Sequence, residues 1–155
     1  DIPYHIPLKW GARDNCCSGK SERLLNELKR AGYTARYRVC VFNWSGFKMP
    51  KTVSSIPHED DCTHTYIEVK LGGKWIVLDA TWDMKLKGTF PVNEWDGKTS
   101  TPIGVHATKV FSPQKSLRIV NDQDKNVITR DLQINGKFYA AFNNWLKAIR
   151  RQATK

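Results

Sequence analysis

No stretch of this 155-residue chain approaches the ~18 consecutive apolar residues that cross a bilayer as a helix, so a membrane span is not expected. There is no CxxC pair and no regular cysteine spacing. The four cysteines stand at 16, 17, 40 and 62, and a chain this long needs no disulfide framework to fold. Free thiols in a reducing, cytoplasmic compartment are the expectation. The chain opens on Asp1 rather than Met, which is also what removal of a leader would leave. Internal repeats, low-complexity tracts and linkers are missing as well. With 40% apolar residues the chain has enough to bury a core, and its length fits one domain over residues 1–155.

Acidic residues are the scarcer charge: 25 Lys and Arg stand against 15 Asp and Glu, a net charge of +10. The excess is uneven. Residues 1–60 carry +4, residues 61–100 carry −1 and residues 101–155 carry +7. A basic surface could meet nucleic acid, anionic lipid or an acidic substrate. No dense Lys/Arg run occurs, so solubility is the simpler account and nucleic acid is not favoured.

Hydrophobic periodicity places the elements. In residues 18–31, Leu24, Leu25, Leu28 and Ala31 form one apolar helical stripe, with Gly32 as a stop and Lys29 and Arg30 at the negative end. Residues 34–43 alternate as a strand. Residues 63–70 and 74–81 alternate around Gly72-Gly73, a hairpin signal. Residues 44–61 and 83–104 read as long loops, 105–111 and 116–120 as short strands. A helix from Lys137 presents Phe138, Ala141, Phe142, Trp145, Leu146 and Ile149 to a core.

Chemistry enters at Cys16-Cys17, just before the first helix. Free N–H groups and the helix dipole there stabilise a thiolate and could donate to an oxyanion. Lys20, one turn on, adds positive charge. A buried structural thiol, a vicinal disulfide or a metal ligand would also fit the segment. Cys40, in mid-strand, reads as core. Cys62 precedes His64 in a C-x-H arrangement, so a zinc site from Cys16, Cys17, Cys62 and His64 is conceivable, although the spacing matches no common zinc module.

With a two-residue loop, Leu71 faces Lys74, Val69 faces Ile76, Ile67 faces Leu78 and Thr65 faces Ala80, giving one apolar face. The other face carries His64, Tyr66, Glu68, Lys70, Trp75, Val77, Asp79 and Thr81, with Tyr66 opposite Asp79 and His64 opposite Thr81. His64 and Asp79 are then diagonal neighbours, roughly 7–8 Å apart at the backbone, a gap two side chains can close with a hydrogen bond. This face is expected to lie apart from the core. A carboxylate so placed fixes the imidazole tautomer and stabilises its charged form. A surface His–Asp pair without chemistry would have the same spacing. His5, His58 and His106 lack such a setting and read as surface or loop residues.

Three segments together resemble the transglutaminase-like superfamily. Cys17, Leu24, Leu25, Leu28, Gly32 and Arg36 match its first block, His64, Tyr66, Glu68 and Val69 the second, and Trp75, Leu78, Asp79 and Thr81 the third. Counting back from Gly32 selects Cys17 over Cys16. The resemblance covers about residues 13–83. It implies an α+β, papain-like core: an N-terminal helix bearing the cysteine, packed on an antiparallel sheet bearing the histidine and aspartate, with the C-terminal helix beyond. It also implies acyl transfer on a protein or peptide substrate, with Cys17 as nucleophile, His64 as base and Asp79 as its orienter, and no metal or cofactor. The oxyanion donor upstream is not singled out; Tyr4 or Trp10 could serve. A non-catalytic interaction module on the same fold, binding an anionic partner through the basic surface, is the alternative.

Overall fold

The computed structural model describes residues 1–153. Its elements are α1 (Cys17–Arg30), β1 (Ala35–Asn43), a single turn α2 (Lys51–Ser54), β2 (Asp61–Leu71), β3 (Lys74–Leu78), β4 (Lys109–Val110), α3 (Pro113–Asn121) and α4 (Lys125–Gln152). The four strands form one antiparallel sheet in the order β3-β2-β1-β4. No helix among the described residues is long and apolar enough to cross a membrane.

Local chemistry explains most of these boundaries. Gly32 takes φ +85°, and the N–H groups of Gly32 and Tyr33 turn back to the carbonyls of Lys29 and Leu28, closing α1. Ala31 caps that end and is exposed, so it leaves the expected stripe. Gly72 and Gly73 both have positive φ, as a type I′ hairpin turn requires. The ladder pairs Leu71 with Lys74, Val69 with Ile76 and Ile67 with Leu78, the expected register.

That ladder stops at Leu78, so the expected Thr65–Ala80, Tyr66–Asp79 and His64–Thr81 pairs do not form. Residues 99–104 take the chain away: Thr101 N–H donates to the Val77 carbonyl, and Asp79 N–H donates to Thr101 Oγ1. Asp79 therefore sits just past the strand.

Both faces of the sheet are covered. Leu25 and Leu28 of α1 pack on Ile67, Val69 and Leu78. The opposite face carries Cys40, Phe42 and Tyr66 into a larger cluster with Phe138, Phe142 and Leu146 of α4. The His64 face is therefore interior, not a surface apart from the core: α4 and the two long loops close over it.

Two helices differ from the sequence expectation. Residues 116–120 belong to α3, where Ser112 accepts the Lys115 N–H as N-cap and Pro113 opens the helix. Of residues 105–111, only Lys109–Val110 forms a strand. The last helix starts at Lys125 rather than Lys137, capped by Asp124, which accepts from Asn126 and Val127. Gly136 and the buried polar Asn135 interrupt the apolar pattern there, yet Asn135 earns its burial by accepting from Glu59 N–H and donating to Asp131.

Phe142 is fully buried, with ring centroids of Trp44, Phe138 and Trp145 at 5.1, 6.1 and 5.7 Å. Phe142→Ala should destabilise the fold by about 3–5 kcal/mol, read as a lowered urea midpoint. An unchanged midpoint would mean that α4 does not close this core.

Candidate active site

Cys17 is the first residue of α1, and its N-cap neighbour Cys16 makes no side-chain capping bond. The helix start is fixed from two sides. Gly19 lies so close to the preceding turn that a Cβ there would stand 2.2 Å from the Asp14 carbonyl oxygen. Ser21 Oγ donates to the Thr65 carbonyl at 2.9 Å, tying α1 to β2 beside His64.

Lys20 is anchored through backbone carbonyls. Its ammonium donates to the carbonyls of Ile2 and Thr81 at 2.8 and 2.7 Å, and burial lowers its pKa to about 8. It fastens the N-terminal segment to the turn after Asp79.

His64 is 2% exposed and Asp79 3%. His64 Nε2–H donates to Asp79 Oδ2 at 2.6 Å. Tyr66 stacks near the imidazole, and Phe42 meets it edge-on, each with ring centroids 6.3 Å away. Asp79 also accepts the N–H groups of Gly104 at 2.7 Å and Thr81 at 3.0 Å, while Asn93 donates to its backbone carbonyl. The second long loop is thus wrapped around this carboxylate. The sequence offered no periodic signal for that, because the contacts run through loop backbone and single polar side chains.

These contacts set the protonation states. Burial, the largest influence on Asp79, disfavours its charge, but the charge and hydrogen bond of His64, the Thr81 side chain and the Gly104 N–H hold it below the usual carboxylate range. Burial also disfavours a charged His64, yet Asp79 and Cys17 outweigh it and raise the ring to about 10. Cys17 is held well below an ordinary thiol. The main cause is a hydrogen bond from the Cys16 thiol; burial opposes it, and a hydrogen bond with His64, the His64 charge and the Thr65 N–H add to the lowering. Cys16 moves up through the same bond and its burial. A Cys17 thiolate beside a His64 imidazolium is the state these shifts favour at neutral pH.

The structure thus brings Cys17, His64 and Asp79 together. Cys17 and His64 open into a cavity of about 190 Å³, walled on the aromatic side by Phe42, Trp44 and Trp82. Tyr4 lines this cavity, whereas Trp10 is half exposed and does not. Ile128, Leu132 and Tyr139 from α4 form a further wall, for which the sequence carried no signal. Cys40 is buried in the larger core cluster. Cys16 and Cys62 line the same cavity as Cys17 and His64, but among the described residues no three His, Cys, Asp or Glu side chains are grouped to hold a metal ion. His5 and His106 are exposed, and His58 stacks on Phe138 at 3.9 Å.

A histidine whose folded pKa is raised stabilises the fold fully below its unfolded value of 6.5 and loses that contribution as pH climbs to about 10. The stability gap between wild type and Asp79→Asn should therefore be widest just below pH 6.5 and narrow toward pH 10, as followed by urea unfolding at several pH values. A gap that stays constant over that range would show that the ion pair is not its source. Compared with protein-family models, curated proteins and solved structures, the chain matches none.

Proposed function

We propose that the chain is a thiol-dependent acyl-transfer enzyme on a transglutaminase-like, papain-like fold. The observation that carries this reading is a grouping: Cys17, at a helix start, and His64, held by the buried Asp79 at 2.6 Å, line one cavity, and the Cys17 thiol is held well below its ordinary value. A structural cysteine has no need of a depressed pKa, and a surface His–Asp pair would not be sealed under two loops and a helix.

The chemistry follows from the protonation states. Cys17 Sγ attacks the carbonyl carbon of an amide or ester, forming the C–S bond. His64 Nδ1, the ring nitrogen not bonded to Asp79, passes its proton to the leaving amine or alcohol as the carbonyl re-forms. The thioester remains on Cys17. His64, now neutral, takes a proton from water or an incoming amine, whose oxygen or nitrogen displaces the sulfur, and the ion pair returns. Asp79 keeps the ring oriented through both halves. N–H groups of the first turn of α1 are the natural donors to the oxyanion. Hydrolysis is favoured over transfer to an amine because water is always available, and the aromatic wall of Trp44 and Trp82 would be the means of excluding it.

Two measurements test this. Wild-type protein should be alkylated at Cys17 by iodoacetamide near neutral pH, and Cys17→Ala should lose that label; identical labelling of both would remove the proposal. With a model thioester or ester substrate, the rate should fall as pH rises through about 10, where His64 loses its proton. His64→Ala should lower kcat at least about a hundredfold.

A further inference from the structure

The cavity beside Cys17 is one lobe of a longer cleft. A second lobe runs along α1, a third runs past the start of β2, and all three meet at Thr63 and Gln123, beneath the turn joining α3 to α4. The fixed charges along this cleft have one sign. Asp14 and Glu22 line the lobe on α1, and Asp61 and Asp131 the lobe at β2; Asp14 and Asp131 also face the central cavity. Among the described residues no Lys or Arg lines any of the three lobes, in a chain where basic side chains outnumber acidic ones 25 to 15.

The side chains of the four carboxylates take no charged donor, although the Arg23 guanidinium donates to the Asp14 backbone carbonyl at 2.8 Å. Asp14 accepts the Cys16 N–H at 2.7 Å, Asp61 accepts from the Asn43 amide at 2.5 Å, and Asp131 accepts from Asn135 at 2.8 Å and the Tyr139 hydroxyl at 3.1 Å. All these donors are neutral, and none of the four carboxylates takes part in an ion pair among the described residues. The thiolate and imidazolium cancel each other, so the cleft as a whole is negative while the rest of the molecule is positive. A cleft of one sign in low-dielectric walls concentrates the opposite charge, and it does so against the field of the remaining surface.

We infer that the substrate of this site is a polypeptide segment bearing lysine or arginine close to the bond attacked. The inference rests on Cys17 being the nucleophile; the carboxylates do not make the site but select what enters it. Acidic segments, which the basic outer surface would otherwise gather, are turned away at the cleft. The interaction surface is therefore split by function, with the exterior setting solubility and the interior setting choice.

The test uses three peptidyl acyloxymethyl ketones identical except for lysine, norleucine or glutamate flanking the reactive carbonyl. Inactivation is followed by mass spectrometry of the full chain. The lysine probe should modify Cys17 fastest and the glutamate probe slowest, by on the order of tenfold, with the spread collapsing in about 1 M salt. The double variant Glu22→Gln, Asp61→Asn, at two exposed positions, should narrow the gap between the lysine and norleucine rates, and an unchanged gap would count against the inference. Equal rates for all three probes on a protein that iodoacetamide still labels would overturn the inference and leave the nucleophile standing. If iodoacetamide fails to label Cys17, the enzymatic reading falls instead. Fluorescence anisotropy of the lysine and glutamate peptides on Cys17→Ala then decides the cleft alone: tighter lysine binding supports it, and equal or weaker binding refutes it.

Discussion

A buried carboxylate must be matched donor for donor, and Asp79 imposes that demand on everything near it. At 3% exposure it accepts from His64, Gly104 and Thr81 at the side chain, and its backbone is held by Thr101 and Asn93. The cost of leaving that ion unmatched explains three otherwise separate features: the β2–β3 ladder ends three residues early, the loop of residues 91–104 doubles back on the hairpin, and position 104 is glycine. A Cβ there would press within 3.1–3.3 Å of the Trp82 indole nitrogen and both Asp79 carboxylate oxygens. Orientation of the imidazole is thus a consequence of satisfying a charge, and the Cys17 thiol, lowered first by Cys16, is lowered further by that imidazole.

The parts of the fold that obey a short period could be read directly. The α1 stripe, its Gly32 stop and the hairpin register follow from 3.6- and 2-residue repeats with glycines that permit the turns. Cys17 and His64 were accessible for the same reason: each lies at a definable place on a regular element. What periodicity could not reveal was burial on the second face of the sheet. The apolar face of α4 from Phe138 to Leu146 was legible, but its 3.6-residue repeat does not say which sheet face it covers, and the rest of the cover comes from loops that bond through single side chains. The α3 segment misled in the opposite direction, since Ser-Leu-Arg-Ile-Val carries strand-like residues, and the Ser112-Pro113 start that outweighs them lies upstream. The role of Lys20 was likewise hidden: as a charge near a thiol it looked electrostatic, but its two carbonyl partners come from distant parts of the chain.

Stability and chemistry share the same residues in the sheet. On β2, successive side chains alternate between a purely apolar contact with α1 and the aromatic shell of His64, so neither face can slip without the other. The tight β1–β2 pairing adds a cross-strand network in which Glu68 holds both Arg36 and Arg38, and Arg36 lies 3.8 Å above the Trp75 ring. This arrangement clamps the far end of the hairpin, away from the cavity, and leaves its near end to the loops.

Arg150, in the last turn of α4, reaches Asp83 through two nitrogens and also donates to the Tyr4 carbonyl, while Asp83 accepts the Tyr4 N–H. One guanidinium thereby laces the beginning of the chain, the loop after Asp79 and the last helix into a single knot directly behind the aromatic wall. Trimming the final helical turn would strip the buried Asp83 of its counter-charge and slacken Tyr4 against Trp82, so any tag or fusion that preserves this chemistry has to leave residue 150 helical.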